Sequence, residues 1–102
     1  GEAEITLFQK DIDWRFEGMK FQNFRVIQKM DEFGKRASEG QYLDGQEVGI
    51  FTWWYENGFR SQQGGFNLAK EHGVWMYYSE VGRVLEKIVF YEGEELEIED
   101  GY

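Results

Sequence analysis

The chain has no cysteine, no proline and one histidine in 102 residues, and each scarcity closes off a class of function. Without cysteine there is neither a disulfide framework nor a thiolate metal site. The lone imidazole, His72, sits beside Glu71 in a predicted turn. With no cysteine or second histidine it cannot build a typical zinc site, and no Ser-His-Asp constellation accompanies it, so it reads as a surface residue. No segment approaches the roughly 18 consecutive apolar residues of a membrane span, and no glycine-rich phosphate loop separates a strand from a helix. Cations are also few: 11 Lys and Arg stand against 20 Asp and Glu, for a formal charge of −9. That balance argues against nucleic acid and against direct binding to anionic membrane, both of which ask for phosphate neutralisation. A basic partner is electrostatically welcome instead. A chain that starts at Gly1 is no guide to a removed signal peptide, so cytoplasm and cell envelope both stay open.

What the chain has in quantity is aromatic residues, at 19%, and glycine, 13 in all. That mixture suits strands and tight turns far better than helices. The length fits one domain with a modest core.

The organising feature is a repeat. At an offset of 24 the chain matches itself in three registers, 25–48, 49–72 and 73–96. Four columns keep their residue type: Glu32/Glu56/Glu80, Gly34/Gly58/Gly82, Tyr42/Phe66/Phe90 and Glu47/Glu71/Glu95. Three more stay apolar: Val26/Ile50/Val74, Ile27/Phe51/Trp75 and Met30/Trp54/Tyr78. Fixed-period similarity of this kind marks tandem structural units.

Each copy reads as a β-hairpin, giving an all-β fold: an antiparallel β-meander of tandem 24-residue hairpin repeats in a single domain. Gly34, Gly58 and Gly82 are the predicted structural turns. Asn57-Gly58 suggests a type I′ turn, while Phe33-Gly34 and Val81-Gly82 suggest a bulged or longer one. Asp44-Gly45 and Glu92-Gly93 signal the second turn of their copies. Helical composition is confined to 68–72 and 92–99, a turn or two at most. Residues 1–24 fit the repeat poorly and read as a degenerate cap of one or two strands, with a turn near Gly18. Residues 97–102 form an acidic tail, part of a charge run from Glu92 to Asp100 that suits a solvated edge.

Alternation sets Phe51, Trp53 and Tyr55 on one face and Ile50 and Trp54 on the other; Trp75 and Tyr77 oppose Val74, Met76 and Tyr78. Both faces are therefore apolar, which calls either for a sheet that folds over or for a face left open as a binding surface. Gly40 and Gly64 leave room for a neighbouring indole to lie across the backbone. Trp53, Trp54, Tyr55, Trp75, Tyr77 and Tyr78 form two clusters that supply the candidate partner-binding residues, although most should belong to the core. The triplicate Glu32/Glu56/Glu80 reads as turn chemistry rather than acid–base catalysis, since active sites are normally unique. A calcium loop over Glu92 to Asp100 has no supporting spacing. The expectation is no enzyme, no cofactor and no metal.

The string Tyr55-Glu56-Asn57-Gly58, followed by Phe66 and then by Gly73-Val74-Trp75, Tyr78 and Gly82, resembles the bacterial MORN-like repeat variant of YwqK-family antitoxins from toxin–antitoxin systems. The resemblance covers about residues 25–96; its first copy has Arg25 and Ile27 in place of the leading glycine and tryptophan. It implies a meander of hairpins that binds other proteins, here an antitoxin-like module for a basic protein partner. Two alternatives stand beside it. One is a cell-envelope carbohydrate binder, since Trp75-Met76-Tyr77-Tyr78 with Gly82 is similar to choline-binding cell-wall repeats of shorter period. The other is a self-associating sheet, for which a homodimer is the simplest form.

Overall fold

The computed structural model describes residues 3–97. They form eight strands: β1 (Ala3–Phe16), β2 (Met19–Met30), β3 (Arg36–Leu43), β4 (Gln46–Trp54), β5 (Arg60–Asn67), β6 (Lys70–Tyr78), β7 (Val84–Tyr91) and β8 (Glu94–Leu96). All lie in one sheet in chain order, every neighbouring pair antiparallel. The all-β meander is therefore the fold. The helical stretches suggested by composition are absent among the described residues. Leu68 and Ala69 make a turn, Lys70–His72 open β6, and Glu94–Leu96 are strand; 98–102 lie outside the described residues. His72 accordingly sits in a strand rather than a turn.

Two kinds of connection alternate. Glu17-Gly18, Asp44-Gly45, Leu68-Ala69 and Glu92-Gly93 each have φ > 0 at both residues, from 44° to 85°. This is the two-residue type I′ hairpin, whose twist matches that of the flanking strands. The other three connections are five-residue closures. Gly34 N–H donates to Asp31 O at 3.0 Å, and Asp31 N–H donates to Lys35 O at 2.7 Å. Tyr55/Gly58/Phe59 and Ser79/Gly82/Arg83 repeat the pattern. Each is a turn followed by a left-handed glycine (φ 78° to 94°), the three-residue loop with a G1 bulge. The type I′ expectation for Asn57-Gly58 is thus corrected, because Asn57 keeps φ < 0 and uses its side chain instead: its Oδ1 accepts from Phe59 N–H at 3.0 Å. Asp31 Oδ1 and Ser79 Oγ take the same role in the neighbouring loops.

The copies 25–48, 49–72 and 73–96 begin inside β2, β4 and β6, so each unit spans half a strand, a loop, a whole strand, a tight turn and the start of the next strand. Gly49 and Gly73 open the second and third copies with φ of 68° and 88°. There the pairing skips, from Gln41↔Val48 to Glu39↔Thr52 and from Gly65↔His72 to Gln63↔Met76. Arg25, at the same place in the first copy, has no glycine and pairs regularly with Gln9. The expected cap is the β1–β2 hairpin, with its tight turn at Glu17-Gly18, and β2 runs on past residue 24 into the first copy.

The sheet measures 45 × 41 × 16 Å and has no second layer among the described residues. It does not fold over. Stacked sheets pack about 10 Å apart, and none of the described residues stands at that distance from either face. Among the described residues, Phe21, Ile27, Leu43, Phe51 and Trp75 form the buried apolar set. Most of it lies on one face, where rings are laid over glycines, and Leu43 is on the other.

Candidate binding faces of the sheet

Pairing register assigns each side chain to a face, because directly opposed residues point the same way. One face carries Ile27, Tyr42, Phe51, Trp53, Phe66, Trp75, Tyr77 and Phe90. Their rings form a ladder across β3 to β7. Tyr42 meets Phe51 at 5.3 Å, Phe51 meets Phe66 at 5.0 Å, Phe66 meets Trp75 at 5.1 Å and Trp75 meets Phe90 at 5.9 Å, all edge-to-face. Such contacts contribute about 0.5–1.5 kcal/mol each beyond area burial. The ladder closes over the missing side chains of the intervening strands. A Cβ on Gly40 would fall inside the Phe51 ring, and one on Gly64 inside the Trp75 indole. The expected indole therefore lies at Gly64, and a phenyl ring takes its place at Gly40. The Trp75 indole N–H also donates to Gly65 O at 3.0 Å, leaving no polar atom stranded beneath the ring.

On this aromatic face the two columns that define the repeat meet. Tyr42 pairs with Glu47, Phe66 with Glu71 and Phe90 with Glu95. Aromatic ring and carboxylate thus alternate across six strands. Successive carboxylates are two strands apart, about 10 Å. The environment bears on the tyrosines. Burial raises the pKa of Tyr42 and Tyr77 above the ordinary phenol value, and nearby carboxylates add to it, Glu47 and Glu4 for Tyr42, then Glu86, Glu71 and Glu95 for Tyr77.

The opposite face carries Phe24, Val26, Leu43, Val48, Ile50, Val74, Val89 and Leu96. Ile50 is 59% exposed, Val74 47% and Leu96 47%. Polar pairs cross this face: Gln28 Nε2 donates to Glu39 Oε1 at 3.1 Å and Gln63 Nε2 to Thr52 Oγ1 at 2.7 Å. At the loop end the Arg36 guanidinium lies 4.2 Å over Trp54, and that of Arg60 lies 5.0 Å over Tyr78. At the tight-turn end His72 rests on Tyr91 (5.4 Å between centroids), with Nδ1 3.7 Å from Glu92 Oε1.

The six candidate aromatics therefore divide. Trp53, Trp75 and Tyr77 share the ladder face, with Trp53 and Trp75 5.6 Å apart although β5 lies between their strands. Trp54 and Tyr78 lie on the other face under arginines. Tyr55 was expected beside Trp53, but β4 ends at Trp54 and Tyr55 belongs to the loop, its hydroxyl donating to Tyr78 O at 2.6 Å. Sequence reasoning listed neither Tyr42, Phe66 nor Phe90 as site residues. Their signal was present as a constant aromatic column at period 24.

The loops of successive copies are stitched along one edge. Lys35 Nζ donates to Glu56 O at 3.3 Å and Asn57 Nδ2 to Glu80 O at 2.8 Å. Between them open two shallow concavities, lined by Lys35, Arg36, Trp54, Tyr55, Glu56 and Asn57. Glu32, Glu56 and Glu80 are exposed at the loop tips, where the hydrogen-bonding groups of the turn are Asp31, Asn57 and Ser79. No group of three or more His, Cys, Asp or Glu residues suited to a metal occurs among the described residues. No helix among them is long and apolar enough to cross a membrane.

Comparison with family models, with curated proteins and with solved structures returns no match for this chain.

Proposed function

We propose that this chain is a non-catalytic protein-interaction module whose aromatic, acidic face receives a basic protein partner. The observation that supports it best is the alternation of Tyr42, Glu47, Phe66, Glu71, Phe90 and Glu95 across one open face. A carboxylate next to an aromatic ring can hold a lysine or arginine by charge and by its π-face at once. Three such rungs in a row favour recognition of a surface over recognition of a small molecule. The resemblance to MORN-like antitoxin repeats points the same way, and an antitoxin-like role for a basic partner belongs to this reading.

Carbohydrate binding draws less support. Trp75, the ring that carried the likeness to cell-wall repeats, is 4% exposed and packed over Gly64, and the rings around it meet edge-on. A sugar stacks on an open, flat ring.

Affinity capture from a native-host lysate, read by mass spectrometry, tests the proposal. The wild-type chain should retain one stoichiometric basic protein, and Glu47→Lys/Glu71→Lys should lose it. Capture of nothing, or equal capture by both, defeats the reading.

A further inference from the structure

The two faces differ in charge as well as in apolar character. From β3 to β8 the aromatic face carries Glu47, Glu71, Glu86 and Glu95 and no cation. The opposite face carries Arg36, Arg60, Lys70 and Lys87 against Glu39 and Glu94. A chain of net charge −9 thus has one cationic face. Turns and loop tips between β2 and β8 add further negative charge, at Asp31, Glu32, Asp44, Glu56, Glu80 and Glu92.

The charges on each face flank an apolar centre. On the aromatic face Phe51 and Trp75 lie between Glu86 at the loop end and Glu47 and Glu71 at the tight-turn end, and Trp53 shares the row of Glu86 through Gln62 and Tyr77. On the other face Ile50, Val74 and Val89 lie between Arg36 and Arg60 at the loop end and Lys70 at the tight-turn end.

We infer that copies of this chain associate front to back, the aromatic acidic face of one against the aliphatic cationic face of the next. Displacing one copy along the sheet normal by about 10 Å, the ordinary spacing of stacked sheets, sets apolar centre over apolar centre and brings Glu71 over Lys70 at the tight-turn end and Glu86 over Lys87 toward the loop end. Pairing the acidic face with itself would oppose Glu47, Glu71, Glu86 and Glu95 to a face whose cations, Arg25 and Lys29, sit on β2. Area supports the same conclusion. The chain exposes 7213 Å² at 12.2 kDa, whereas a folded monomer of that mass exposes about 6,100 Å². The excess, about 1,100 Å², exceeds the roughly 800 Å² that each partner contributes to a standard interface. Front-to-back contact is heterologous and leaves a free face at each end, so it can grow into short stacks unless the negative rims limit it. It also occupies the face that receives a basic partner in every copy of a stack but one, so self-association competes with partner binding.

The test is sedimentation of the isolated chain from micromolar to millimolar concentration, and it needs no partner, so its outcome is independent of the capture experiment above. The wild type should associate reversibly. Glu47→Lys/Glu71→Lys cancels the negative charge of the aromatic face, and Arg36→Glu/Arg60→Glu makes both faces acidic; each variant alone should weaken association by about tenfold or more. Mixing the two should restore it, since each then offers the other a complementary face. Restoration also shows that both variants are folded. A strictly monomeric wild type, association unchanged in Arg36→Glu/Arg60→Glu, or no restoration on mixing overturns the inference.

Discussion

The indole of Trp75 lies across the backbone of Gly64 on the strand beside it, and its N–H donates to the carbonyl of Gly65 at 3.0 Å. Phe51 stands in the same relation to Gly40, one repeat earlier, without the hydrogen bond. In a sheet without a second layer, these ring-over-glycine contacts provide the most complete burial available. Gly64→Ala should therefore destabilise the fold by about 1–3 kcal/mol through overpacking. Trp75→Ala should cost about 3–5 kcal/mol. Denaturant unfolding followed by tryptophan fluorescence or far-UV circular dichroism measures both, and a neutral Gly64→Ala would deny the packing scheme.

Leu68 and Ala69 occupy a type I′ turn at φ of 44° and 70°, where the equivalent turns have Asp44-Gly45 and Glu92-Gly93. A side chain in the left-handed region costs roughly 1–2 kcal/mol. Leu68→Asn/Ala69→Gly should raise stability by about 1 kcal/mol, seen as a higher denaturation midpoint with an unchanged slope. The reverse change, Gly45→Ala, should lower the midpoint by a similar amount.

Asp31 Oδ1 accepts from both Phe33 N–H and Lys35 N–H at 2.9 Å, closing the first loop. Ser79 holds the third loop through the longer bonds of 3.3 and 3.1 Å from Val81 and Arg83. Asp31→Ala should cost about 1–2 kcal/mol and Ser79→Ala less, since bonds to a charged acceptor are the stronger ones. Asp31→Asn, which keeps the acceptor, should recover most of the loss. Thermal or denaturant unfolding ranks the three.

Tyr42 and Tyr77 have raised pKa values because burial, and then neighbouring carboxylates, disfavour the phenolate. An unfolded tyrosine ionises near pH 10. The folded chain binds these protons more tightly, so their contribution to stability is intact below pH 10 and is lost as pH rises through the raised values. Ultraviolet titration should show these two phenols ionising above the ordinary phenol value, and unfolding midpoints should fall over the same range. Tyr42→Phe/Tyr77→Phe should remove the late phase.

Much of this architecture was legible from residue types. The 24-residue columns gave the hairpins, and the glycines at 34, 58 and 82 gave three turns, all of which have φ > 0. Leu68-Ala69 was illegible because it has no turn chemistry; the register of the repeat forces it. Asn57-Gly58 misled for the opposite reason, since its dipeptide suits a type I′ turn while the loop closes through the Asn57 side chain. Alternation separates Trp53, Trp75 and Tyr77 from Trp54 and Tyr78 as the sequence implies, and Tyr55 alone departs because β4 ends one residue before it. The pairing of the aromatic and glutamate columns crosses a tight turn, and depends on a register that composition cannot supply.

The aromatic acidic face as the partner-binding surface is the central claim, and hydroxyl-radical footprinting of the captured complex tests it most directly. The account predicts protection of Tyr42, Trp53, Phe66, Tyr77 and Phe90 on partner binding, with Trp54, Tyr78 and Ile50 on the opposite face unchanged. Protection of the opposite face with the ladder still reactive would contradict it.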